Sequence, residues 1–170
     1  MKKILLLLAA VAISAGVYAQ KTGFVNTETI FKSIPEYNSV LEQVEALAKA
    51  RQDAIAADFD KIAEMYDRYQ LQKASLSEAS RKQVEDNIIK LEEQALEQQQ
   101  QAFGNDGEVM KKRVELIKPI QDRVFEAIDK ILAARKLELV IDISNNPSIV
   151  SYDKNLDLTQ EVLKSLGVNK

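Results

Sequence analysis

Twenty-six acidic and 23 basic side chains stand in this chain of 170 residues, but not one histidine or cysteine. Those two absences remove most of what side chains do near neutral pH. There is no imidazole base, no thiolate nucleophile, and no zinc site built on His or Cys. There is no disulfide to add stability in oxidising surroundings either. Asp and Glu pairs abound, but they fall on helical faces with no sign of a pocket that would shift their pKa values. The five glycines, at 16, 23, 104, 107 and 167, form no phosphate-binding loop. The residues point to no enzyme, no cofactor and no metal, and the informative positions are the apolar ones.

Export comes first. Lys2 and Lys3 precede an apolar run from Ile4 to Ala15, and Val17-Tyr18-Ala19 has the small-residue pattern of a signal-peptidase site. The run is too short to span a bilayer, so cleavage is expected after Ala19, leaving Gln20 as the new N-terminus and no stable membrane insertion. No Cys follows, which excludes a lipoprotein. Removing residues 1–19 takes two basic residues and no acidic ones, leaving 21 against 26 and a net charge of −5. Such a surface does not neutralise phosphates, so no nucleic-acid partner is expected.

The mature chain has strand-like ends and a helical middle. TGFVN, residues 22–26, suits a short strand with Phe24 directed inward, and Asn26 or Thr27 caps the short helix TETIFKSI. Pro35 separates that helix from the next. Ser39 and Glu42 have capping-box spacing at the head of a long helix. Along it Val40, Val44, Leu47, Arg51, Ile55, Phe59, Ile62, Tyr66 and Tyr69 step by three or four residues, a single helical face with one Arg in it. Ser75 and Glu78 repeat the capping box, so a tight turn near 73–78 joins this helix to a return leg. There Ile89, Leu96, Phe103, Met110, Ile117, Val124 and Ile131 recur at intervals of seven, the mark of a left-handed coiled coil. Because the phase agrees on both sides of Gly104 and Gly107, the expectation is one continuous helix with a kink at 104–107. The basic run Lys111-Lys112-Arg113 reads as a solvated face. Leu137–Ile143 and Ser148–Tyr152 then read as strands around the turn Asn145-Asn146-Pro147. Asp157 or Thr159 caps a last short helix that stops at Gly167.

The expected fold is mainly α with a small β core: a long antiparallel coiled-coil hairpin arm projecting from a short-stranded oligomerisation base. Residues 20–37 and 118–170 make the base, and 38–117 the arm. Three short strands are too few to be stable uncovered, and an isolated hairpin buries little of its surface. Both problems ease if several copies share the β core, with Phe24, Ile30, Phe31, Leu139, Ile141, Ile143 and Ile149 as candidate core residues. Near the arm tip, Met65, Tyr66 and Leu71 exceed what a two-helix seam can bury and are candidate contacts for an apolar partner.

GFVNTETIFKSIPEY at the start, with ELIKPIQDRVFEAIDKILAARKLELVID and SIVSYDKNLDLTQEVLKSLG at the end, resembles the Skp (OmpH-like) periplasmic chaperones. The resemblance implies a periplasmic homotrimer of a Gram-negative-type envelope that holds unfolded outer-membrane proteins without ATP. The chain departs from the best-known member in being acidic rather than strongly basic, so no lipid or lipopolysaccharide site is carried over to it. The competing expectation is a structural adaptor that docks envelope components through the 73–78 turn.

Overall fold

The computed structural model describes residues 21–168. The signal segment, with Ala19 and Gln20, lies outside the described residues. In chain order the elements are β1 (Thr22–Val25), α1 (Thr27–Ser33), α2 (Pro35–Gln72), α3 (Glu78–Phe103), α4 (Glu108–Arg135), β2 (Leu139–Asp142), a 3-10 turn (Lys154–Leu156) and α5 (Thr159–Ser165). They divide into two compact units, residues 21–33 with 123–168, and residues 34–122. The chain is thus predominantly long helices with one small sheet.

In the first unit β1 and β2 pair in parallel, with Thr22 beside Leu139 and Val25 beside Asp142. The expected third strand does not form. The far edge of β1 is already taken, because the Leu158 amide donates to the Phe24 carbonyl at 2.8 Å, beside a single bridge from Phe24 to Asp157. Residues 148–152 therefore cannot join β1, and they do not pair with the other edge of β2 either. Tyr152 contributes its side chain instead: its ring lies 4.9 Å from that of Phe24, and its hydroxyl donates to Asp157 at 3.0 Å. Phe24 consequently sits half-buried on the outer face, while Gly23 and Val25 point inward. This reverses the inward placement expected for Phe24. Ile30, Val25, Leu158, Val124 and Val162 are the largest fully buried side chains.

Helix ends follow local chemistry. Asn26 Oδ1 accepts from the Thr29 amide at 2.8 Å and caps α1. The long helix starts four residues earlier than the Ser39 capping box suggested. Pro35 occupies its first turn and Ile34 is extended at φ −88° and ψ 114°, since proline at N1 comes preset for the helix. Ser39 lies inside α2. At the hairpin turn, Ser77 rather than Ser75 is the cap, accepting from the Ser80 amide at 3.2 Å. Ser75 donates to the Gln72 carbonyl. Asp157 accepts from the Thr159 amide at the head of α5. The same helix closes with Val168 N–H on the Leu163 carbonyl and Gly167 N–H on that of Lys164, a Schellman closure that needs the positive φ of 75° at Gly167.

The second unit is an antiparallel hairpin of α2 and α3. Ile62, Tyr69, Ile88 and Ala95 form its buried seam, with Phe59, Met65, Leu76, Val84 and Leu91 packed against them. The return leg is not one helix. It stops at Phe103, turns through Gly104–Gly107, and resumes at Glu108. Gly104 leaves the helix with ψ at 174°, and Gly107 N–H closes the turn on the Gly104 carbonyl at 2.8 Å. The seven-residue spacing survives the break but its facing does not. Ile117, Val124 and Ile131 are buried, whereas Ile89, Leu96, Phe103 and Met110 are exposed. On α3 the buried series is Ile88, Ala95 and Ala102, one residue earlier in each heptad.

Gly107 is held by close packing. A Cβ there would stand 2.6 Å from the Ala102 carbonyl oxygen, a backbone atom that cannot swing aside. Gly107→Ala is therefore expected to destabilise the hairpin by about 1–3 kcal/mol rather than stiffen it as an uninterrupted helix would be stiffened. Urea unfolding followed by circular dichroism checks this; a variant at least as stable as the parent would contradict the packing.

Candidate functional site

Two regions join residues distant in sequence. In the first unit Asp142 links the end of β2 to the start of α1. Its carboxylate accepts from the Thr27 amide at 3.1 Å and the Thr27 hydroxyl at 2.5 Å, and from the Ser144 amide at 2.9 Å. Burial pulls this carboxyl upward, but the hydrogen bonds from Thr27 and Ser144 outweigh it and leave the pKa below the ordinary value. Asp157 behaves alike: burial raises it, and bonds from Thr159 and Tyr152 hold it lower on balance. Across the same unit the Asn26 amide donates to Thr159 Oγ1 at 2.9 Å. This network fastens the chain ends together; nothing in it resembles a reaction centre.

Among the expected oligomer residues, Ile30 is wholly buried inside its own chain and has no surface to offer. It sits on the inner side of α1, where the helix packs against α5. Phe31, Ile141, Ile143 and Ile149 are half-buried, and Leu139 is exposed. Val150, which the pattern did not single out, is 95 % exposed.

In the second unit the exposed apolar side chains are the notable feature. Of the three expected partner contacts, Met65 packs against the seam, while Tyr66 and Leu71 are open to solvent, Leu71 at 86 %. Met65 is thus half-buried where an open contact is expected, because it shares the seam with Ile62 and Ala95. A shallow groove of about 260 Å³ there runs past Ile62, Met65, Leu91 and Ala95. The row Ile89, Leu96, Phe103 and Met110, whose sevenfold spacing predicts the seam, is exposed instead. The parallel series Ile88, Ala95 and Ala102 was the available sign, muted because alanine counts little in an apolar pattern.

Polar fasteners hold the hairpin at both ends of α3. The Tyr69 hydroxyl donates to Glu85, and that hydrogen bond, with burial, raises the tyrosine pKa. Lys73 lies 5.3 Å over the Tyr69 ring. Beside the Gly104–Gly107 turn, Arg51 grips Glu108 through two nitrogens at 2.7 and 2.8 Å. The lone Arg in the apolar face of α2 is thus the partner for the first residue of α4, and its hydrogen bond holds the Glu108 pKa down. Among the described residues no cluster of acidic side chains could hold a metal ion, and no helix is long and apolar enough to cross a membrane.

Comparison with known proteins adds to this geometry. The family model described as outer membrane protein (OmpH-like) matches residues 21–166. The chain belongs to the OmpH-like family. Among curated OmpH-like relatives, the chaperone protein Skp of Yersinia enterocolitica is 26 % identical over 157 residues, covering 92 % of each chain. A solved OmpH-like structure from Caulobacter crescentus, described as that of an outer membrane chaperone, superposes with a TM-score of 0.68. It covers 89 % of this chain and 86 % of its own at 10 % identity, a likeness of fold.

The Asp142 network yields a pH dependence. A carboxyl whose folded pKa lies below its unfolded value stabilises the fold above the unfolded value, about 4. That contribution fades as pH falls through the folded value. Unfolding free energy should therefore be level from neutrality to about pH 5 and drop below about pH 4. Asp142→Asn should cost about 1 kcal/mol at pH 7, as for a lost helix cap, and flatten the acid slope. Denaturant titrations at a series of pH values test both; an unchanged slope would show that Asp142 is not a source of it.

Proposed function

We propose that this chain is an ATP-independent periplasmic holdase that binds unfolded outer-membrane β-barrel proteins and delays their aggregation. The observation that supports it most is the set of large apolar side chains left open on the hairpin: Tyr66, Leu71, Ile89, Leu96, Phe103 and Met110. Burying an exposed apolar side chain against a partner is favourable by about 25 cal/mol per Å², and a protein that binds the unfolded state opposes its aggregation by mass action. Many weak, dispersed contacts suit clients without fixed structure. Membership of the OmpH-like family and the name of the Yersinia relative agree with this reading. It assigns the protein no reaction chemistry.

The client contacts of this reading include Tyr66 and Leu71. Met65 is set apart, since changing it would disturb the seam. Self-association belongs to the same proposal: three copies would join through the surface of Phe24, Phe31, Leu139, Ile141, Ile143 and Ile149, where the outer edge of β2 has no strand partner among the described residues. A two-stranded sheet is too small to stand alone, and covering that edge would strengthen it.

Two measurements test the proposal. Light scattering should give the mature protein a trimer mass, and Leu139→Asp should lower it by placing an unpaired carboxylate in the contact, a cost of several kcal/mol. An unchanged mass would mean that β2 does not join the copies. The second dilutes a denatured β-barrel protein into buffer and follows turbidity. Tyr66→Ser with Leu71→Ser should weaken protection tenfold or more, from about 1–2 kcal/mol per apolar side chain, with helicity intact. Full protection by the double variant would favour the adaptor reading instead.

A further inference from the structure

Ile89, Leu96 and Phe103 lie seven residues apart on α3 and remain 52, 56 and 45 % exposed. The seam residues Ile88, Ala95 and Ala102 precede each by one position. A step of one residue is about 100° of helical rotation, so the three form a line on the flank of the hairpin, beside the seam. A docked helix would require apolar residues at two positions in each heptad. This flank supplies one. Neighbours three and four residues from Ile89 and Leu96 share their face, and these include Asp86, Glu92, Glu93, Gln99 and Gln100. The apolar footholds therefore recur about every 10.5 Å, the reach of roughly three residues of extended chain, in a polar field. That spacing fits an unfolded segment touching at separate points.

The field has a sign. Between Glu85 and Glu108 the chain has seven carboxylates and a single cation, Lys90. Glu85 and Glu108 are engaged by Tyr69 and Arg51. Asp86, Glu92 and Glu93 are exposed and take no ion pair among the described residues. Two of these bracket Ile89 at i−3 and i+4, and Glu92 and Glu93 precede Leu96 by one turn.

We propose that this face of α3 selects, among unfolded chains, apolar segments with Lys or Arg close to their hydrophobic residues. Ile89, Leu96 and Phe103 take the apolar side chains, and Asp86, Glu92 and Glu93 take the cations. Segments rich in Asp or Glu meet like charge and are disfavoured. This rests on the holdase reading and adds to it the charge of the preferred client.

The test uses the mature full-length protein and two labelled unstructured peptides with the same apolar residues, one with Lys between them and the other with Glu. Fluorescence anisotropy at low salt should show the Lys peptide binding about tenfold tighter, since three exposed ion pairs each contribute a factor of about two. The preference should vanish near 1 M salt, where screening acts within about 3 Å. The variant Asp86→Asn, Glu92→Gln, Glu93→Gln should bind both peptides alike, with unchanged circular dichroism. Equal affinity of the parent for both peptides, or a Lys preference that survives in the triple variant, overturns the proposal and leaves the holdase reading standing. Failure to bind either peptide or the denatured β-barrel overturns both. Because the chain has no cysteine, Leu96→Cys gives a single thiol on this face. Its rapid labelling in client-free protein is expected; protection there would show that a second copy covers the face, and would overturn the proposal.

Discussion

The parallel pairing of β1 with β2 governs this structure. Parallel neighbours cannot be joined by a tight turn; they need a crossover long enough to return the chain to its starting end. Here the crossover comprises α1 to α4, and the residues it brings together, such as Thr27 and Asp142, lie 115 positions apart. A two-stranded sheet contributes few ladder bonds, so the closure depends on polar fasteners around it: Asp142 on α1, Thr159 on Asn26, and the Leu158 amide on β1. The long hairpin is an elaboration of that crossover. Its chain begins and ends at the same small unit.

Within the hairpin the controlling choice is small residues at the α3 seam. Ala95 and Ala102 are buried where a coiled coil of ordinary composition would place leucine. They leave the larger Ile, Leu and Phe of the same heptads on the outside, and Ala95 packs with Ile62 and Tyr69 from α2. Past the Gly104–Gly107 turn the same heptad position is still exposed at Met110 and is buried from Ile117 onward. Arg51 and Glu108 fasten α2 to the point where α4 begins. An exposed ion pair of this kind adds little stability, but its two-pronged geometry fixes where the helices meet.

Leaving a row of large apolar side chains in water is unfavourable for an isolated chain and is a hazard for self-aggregation. The flanking carboxylates and glutamines of α3 break that row into separate points, and the acidic excess of the chain keeps like molecules apart. Loose apolar contact with a negative surround favours a partner whose own charge is positive.

Much of this was legible in the sequence. The helical middle, the strand at each end, the turn near residue 75 and the core face of α2 all follow from local pattern, because periodicity, proline and caps act over a few residues. The family resemblance was carried by the end segments, where Pro35 and the Asp142 to Thr159 region stand. Tertiary structure alone decided which of two adjacent heptad series faced α2. Spacing fixes a period and leaves the phase to whichever packing buries more, and here the small residues Ala95 and Ala102 went inside. It also decided that the Gly104–Gly107 turn ends a helix rather than bending one, since the close approach of Gly107 to the Ala102 carbonyl is invisible until the turn is built. The missing third strand has the same origin. Ser148–Tyr152 has strand-forming residues, but Asp157 and Leu158 take the edge of β1, and Tyr152 packs its ring on Phe24 without its backbone pairing to β2.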